Sequence, residues 1–167
     1  MIATFLALQI QASPLNFEYS ELQGIGFEEG VCRRDPSDVI KVGDTYFVWY
    51  TKVIQGANLY PSGYDGTVWF ATSSDGVKWK ESGEAIARGP EGSWDEQSVF
   101  TPNVLSHDGH FYLYYTAVPK PFRNSAPRIT RTAIGVATSD SPFGPWKKHR
   151  QNPLLEASSV SYTHLRA

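Results

Sequence analysis

Apolar and aromatic residues run in short stretches along this chain, broken by clusters of Gly, Pro, Asn and Asp. No stretch carries a helical period of useful length, so the pattern predicts strands and turns throughout. A short apolar run follows Arg33-Arg34-Asp35-Pro36-Ser37. Val42-Gly43-Asp44-Thr45 carries a hairpin turn signal, and Tyr46–Thr51 answers with β-branched and aromatic residues. Tyr46–Thr51 is apolar at successive positions, which predicts a strand buried on both faces. Val53–Gly66 is rich in Gly, Pro, Asn and Tyr and reads as a loop. Thr67–Ser73 is a third strand, Ser74-Asp75-Gly76 a turn, Val77–Lys80 the opening of a fourth strand, and 85–93 a Gly/Pro connection.

The pattern then begins again. Phe100–Leu105 answers the first run, Asp108-Gly109 the turn, and Phe111–Thr116 the aromatic strand. A Pro-containing loop follows over 118–131. Gly135–Asp140 answers Trp69–Ser74, and Trp146-Lys147 answers Trp79-Lys80. The offset is 66 between Pro36 and Pro102, 65 between Thr51 and Thr116, and 67 between Trp79 and Trp146. Landmarks in one order at a nearly constant offset define an internal repeat. Each unit holds four short strands, and four-stranded units in series predict β-propeller blades. The chain therefore reads as all-β. Residues 1–23 are a leader and extended lead-in, 24–93 blade 1 and 94–157 blade 2. Residues 158–167 break the repeat and read as a non-native tail. A propeller closes with at least about four blades, so two blades predict a fragment or a chain that assembles. Any oligomer is expected through the N-terminal segment.

Charge and composition narrow the function. A net charge of −2 gives no field for nucleic acid or an anionic membrane surface, and neither partner is expected. No stretch is long enough to span a bilayer. The 41% apolar and 14% aromatic content argues for a packed core. Cys32 is the single cysteine and reads as a small buried apolar residue. No metal site or cofactor is expected. Residues 1–12 are apolar and uncharged but lack a basic start, so they read as a truncated secretory leader or as an ordinary apolar N-terminus.

Arg33-Arg34-Asp35-Pro36-Ser37 is the stretch with the clearest chemistry. Pro36 lacks an N–H for a sheet ladder and belongs at a strand start or edge. Asp35 is thereby placed at a strand mouth, where a carboxylate can face a cleft. Read from the residues alone, it is equally a turn Asp bonding nearby backbone N–H groups.

With Arg33–Ser37, Val48-Trp49-Tyr50-Thr51-Lys52 and Trp94–Pro102 in view, residues 24–156 resemble the five-bladed propeller glycosidases. The likeness is to the clan of glycoside hydrolase family 43, and most closely to family 117. The resemblance implies inverting hydrolysis of a glycosidic bond at one end of the central channel. It also implies an oligosaccharide substrate from a marine or plant polysaccharide. For family 117 that is terminal α-1,3-linked 3,6-anhydro-L-galactose. A polymer-derived substrate implies a secreted or periplasmic protein.

Inversion needs one group to take a proton from water and another to give one to the leaving oxygen. The resemblance assigns the base to Asp35, with Arg34 beside it as a substrate contact. Asn103 stands at the second-blade position where family 43 implies another carboxylate, and its amide is a substrate-binding candidate because it can bond a sugar hydroxyl. The resemblance puts the general acid on a later blade, as Glu or His. His107, His110, His149 and His164 are not assigned to that role. Gln97, Ser98 and Thr101 are substrate-binding candidates because they lead into the second inner strand. Trp49 and Trp69 could floor a sugar site but sit where a propeller needs core. Arg123 and Arg128, in the basic loop 120–131, are candidates for binding an anionic sugar. Two other readings stay open: a non-catalytic carbohydrate-binding propeller, and a fragment inactive by itself.

Overall fold

The computed structural model describes residues 18–54, 65–122, 124–125, 128–129 and 131–156. These form twelve strands and no helix. They are β1 (Val31–Arg34), β2 (Ile40–Val42), β3 (Thr45–Ile54), β4 (Thr67–Ser73), β5 (Lys80–Ile86) and β6 (Ser98–His107). After these come β7 (His110–Val118), β8 (Asn124–Ser125), β9 (Arg128–Ile129), β10 (Ala133–Ser139), β11 (Lys147–Lys148) and β12 (Leu155–Glu156). Two antiparallel sheets carry the fold. The first runs β1-β3-β4-β5, with β2 also pairing β3; the second runs β11-β10-β7-β6, with β12 also pairing β10. β1 and β2 share one edge of β3, against Thr51–Ile54 and Thr45–Phe47 respectively. Together they make one interrupted inner strand. β11 and β12 likewise make one interrupted outer strand along β10. Each sheet is thus a four-stranded blade, as the repeat predicts.

The core lies between the blades. Strand alternation sends Phe47 and Trp49 of β3 and Phe111, Leu113 and Tyr115 of β7 toward one another. Trp49 is wholly buried, with the Trp146 ring edge-on at 6.0 Å. Trp49 is therefore core rather than a sugar platform. Each such side chain contributes about 1.5–3 kcal/mol by leaving water. The opposite face of blade 1 holds a second cluster of Val48, Tyr50, Ala71 and Trp79, against which Ile25 packs. Gly24 allows that approach. Its φ is +90°, and a Cβ there would come within 1.9 Å of the Trp79 carbonyl oxygen. Trp69 is half-buried, and Lys52 Nζ sits 3.9 Å from its ring centre.

Two strand limits differ from the pattern. The fourth strand of blade 1 begins at Lys80, because Lys78 instead bridges to Gln23. It continues to Ile86, into the expected connection. The chain also pairs before Asp35: β1 runs against the far end of β3, placing Asp35 within the inner strand rather than at its start.

Candidate active site

The Asp35 turn is built by the residues on either side of it. Arg34 ends β1 opposite Thr51. Asp35 then takes φ +51°, a left-handed conformation that Asp tolerates better than most residues. Pro36 supplies no N–H, and Ser37 restores the ladder. The Ser37 N–H donates to the Trp49 carbonyl at 2.8 Å, while the Trp49 N–H donates to Ser37 Oγ at 3.0 Å. Pinned on both sides, Asp35 stands out of the sheet with its side chain 35% exposed. Arg34 Nε is 3.5 Å from Asp35 Oδ2, so a cation stands beside this carboxylate.

Arg33, which precedes it, is locked from behind. Its Nε donates to Glu81 Oε2 at 3.0 Å, and its Nη2 to Glu28 Oε2 at 2.7 Å. Tyr50 Oη donates to the same Glu81 oxygen at 2.7 Å, and Lys52 Nζ donates to the other. Burial pushes the Glu81 carboxyl up, but the bonds from Lys52, Tyr50 and Arg33 outweigh it and hold it below the ordinary Glu value. Burial, then Glu81, pushes the Tyr50 phenol well above its ordinary value, so it is a neutral donor. Burial works to lower the Arg33 pKa, but its carboxylate partners prevail and raise it. This is a structural clasp holding β1 to the blade rim.

Blade 2 repeats the turn with different chemistry. Thr101 has φ +46° and precedes Pro102, as Asp35 precedes Pro36. The β6–β7 register breaks between Phe100 and Asn103 to accommodate it. By backbone geometry the counterpart of Asp35 is Thr101, and Asn103 is the counterpart of Ser37. Thr101 is exposed, and its hydroxyl donates to Thr116 Oγ1 at 2.7 Å. Asn103 is exposed beside Tyr114, which is 37% exposed.

The remaining candidates divide. Ser98, a substrate-binding candidate, faces the seam between the blades. It is fully buried, its Oγ accepts the Gly66 N–H at 3.0 Å and donates to the Gly66 carbonyl at 3.2 Å, and it is spent joining the blades. Gln97 is half-buried, and its side-chain amide donates to Asp65 Oδ1. Arg123 lies outside the described residues. Arg128 lies on β9, which pairs with β8 in a small hairpin away from both blades' ladders. The Trp94-Asp95-Glu96 turn is a clamp: Asp95 is buried, accepts Lys148 Nζ at 2.6 Å, and accepts Ser93 Oγ at 2.9 Å. His107 and His110 are exposed, and His110 Nδ1 lies 2.8 Å from Asp140 Oδ1.

Thr51 escaped the sequence reading. It is fully buried on β3, and its Oγ1 accepts the Thr101 N–H at 2.9 Å. The repeat aligns Thr51 with Thr116, but nothing in that alignment signals a bond across the blade seam.

The two left-handed turns before proline, one per four-stranded blade and one bearing a carboxylate, both lie inside the stretch that a known family matches. Residues 31–160 match the family model of glycosyl hydrolases family 43. The chain belongs to glycoside hydrolase family 43. Solved structures agree in fold. Zg3597, a family 117 glycoside hydrolase from the marine bacterium Zobellia galactanivorans, matches at 25% identity and TM-score 0.55 over 85% of this chain and 63% of its own. CoXyl43, a family 43 β-xylosidase/α-arabinofuranosidase from a compost microbial metagenome, solved with xylotriose, matches at 22% identity and TM-score 0.60. That match covers 79% of this chain and 38% of CoXyl43. The GH43_1 enzyme from Xanthomonas citri, also solved with xylotriose, matches at 20% identity and TM-score 0.53 over 71% and 32%. The chain thus spans less than two thirds of the length of these relatives. No curated protein matches it in sequence.

Proposed function

We propose that the protein is an inverting exo-glycosidase acting on oligosaccharides from an agar-like marine polysaccharide, with Asp35 as general base. The observation that carries this reading is the Asp35 turn. A carboxylate is held out of an inner strand by a left-handed backbone, flanked by Arg34, in a chain belonging to glycoside hydrolase family 43. A base must be fixed relative to the water it activates, and the Ser37–Trp49 ladder and the Glu81 clasp supply that rigidity. The Asp35 carboxylate would take a proton from water as that water attacks the anomeric carbon. A proton donor from a later blade would serve the leaving oxygen. The exposed hydroxyl of Thr101 and amide of Asn103 offer neutral contacts to sugar hydroxyls. The agar-like substrate rests on the resemblance to family 117, and the likeness to a family 117 enzyme from a marine bacterium supports it.

A carbohydrate-binding propeller without hydrolysis is the second reading. It is favoured by Thr101, a hydroxyl where blade 1 has a carboxylate. The two readings separate in one experiment. The full-length protein is incubated with agar-derived oligosaccharides ending in anhydrogalactose and, in parallel, with xylotriose, and the first product anomer is followed by proton NMR. Release of anhydrogalactose with inverted configuration supports the glycosidase reading. Calorimetric binding without release over long incubation replaces it with the binding module. Turnover of xylotriose alone removes the agar-like substrate.

A further inference from the structure

Thr51 reaches both left-handed turns: its backbone pairs beside the first, and its buried hydroxyl bonds the second. Thr51 lies opposite Arg34 on β1, one residue before Asp35. On its other side it reaches blade 2, where Thr51 Oγ1 accepts the Thr101 N–H at 2.9 Å. That N–H has no ladder partner, because the β6–β7 pairing skips from Phe100 to Asn103 and Pro102 carries no N–H. The Thr51 side chain is not free to turn away. A Cβ at position 66 would come within 2.7 Å of Thr51 Cγ2, so its methyl is packed against the Gly66 backbone while its hydroxyl faces Thr101. Most of the blade seam is apolar packing, which constrains distance but not direction. Near these turns the seam is polar: Thr51 to Thr101, Gly66 to Ser98, and the Val99 N–H to the Gly66 carbonyl at 3.1 Å. Of these bonds, the one accepted by Thr51 lies next to the Asp35 strand.

We propose that Thr51 is a positioning residue for the hydrolytic site. Its hydroxyl fixes the Asp35 turn of blade 1 relative to the Thr101 turn of blade 2, and so sets the carboxylate against the sugar contacts across the seam. This rests on the reading of Asp35 as the base. A displacement of about 1 Å at such a site costs on the order of 100-fold in rate.

The test compares Thr51→Val, which keeps the shape and removes the oxygen, with Thr51→Ser, which keeps the oxygen. Both are made in the full-length protein. Thr51→Val is expected to lower kcat by about 10–100-fold with KM within about threefold, and Thr51→Ser to stay within about threefold of wild type. Wild-type kcat in Thr51→Val overturns the proposal. So does equal loss in both variants, which would mean packing alone. If Thr51→Val does not fold, Thr51→Ala against Thr51→Ser makes the same comparison. A second readout needs no substrate: the amide resonances of Asp35 and Thr101 should both move in Thr51→Val, and movement of Thr101 alone overturns the coupling. If the wild type hydrolyses no glycoside, the glycosidase reading fails, and the amide resonances still decide the role of Thr51.

Discussion

Arg33 Nε donates to Glu81 Oε2 at 3.0 Å, joining the strand that carries Asp35 to β5 at the rim of blade 1. Tyr50 and Lys52 close on the same carboxylate from β3. Two cations, Arg33 and Lys52, lie directly opposite each other in the β1–β3 register. Glu81 is what makes that arrangement tolerable in a half-buried site.

Acid should therefore loosen β1. The Glu81 carboxyl is held below its ordinary 4.5 in the folded chain, so its contribution is present above that pH. It is lost as pH falls through the lower, folded value. Glu81→Gln should cost about 1–3 kcal/mol at neutral pH and flatten the stability profile below pH 4.5, as read by urea midpoints across pH. An unchanged profile would show that the clasp contributes nothing to folding.

Thr101 sits at φ +46°, a conformation β-branched residues rarely adopt. Thr101→Asn should raise stability by about 1 kcal/mol, because Asn tolerates that backbone. The denaturant midpoint reads this directly. A fall would mean that the 2.7 Å bond from Thr101 to Thr116 outweighs the backbone strain.

Ser98 is bonded at the seam through both of its Gly66 contacts. Ser98→Ala leaves the buried Gly66 N–H without its acceptor and should cost about 1–3 kcal/mol, with oligosaccharide affinity unchanged within about twofold. Affinity lost at unchanged stability, measured by calorimetry and denaturation on one preparation, would return Ser98 to the binding site.

The repeat and its four-stranded units are legible in the sequence because they rest on local signals. Those signals are aromatic strands and Gly and Asp turns. What escaped it depends on contacts far along the chain. Val31–Arg34 shows no strand alternation, and its strand exists because Arg33 finds Glu81 and its backbone finds Thr51–Ile54. Ser98 looks like a surface residue between Gln97 and Val99, and only the approach of Gly66 buries it. The backbone makes Thr101, and not Asn103, the counterpart of Asp35, because the proline and the left-handed turn fix the register.

Replacing Asp35 by Asn in the full-length protein tests the central claim most directly. Asn keeps the shape and accepts φ +51°, so the turn survives while the base is removed. Turnover should fall by about 10²–10⁴-fold while oligosaccharide affinity, measured by calorimetry, stays within a few-fold of wild type. Hydrolysis near the wild-type rate in a folded Asp35→Asn protein would contradict the assignment.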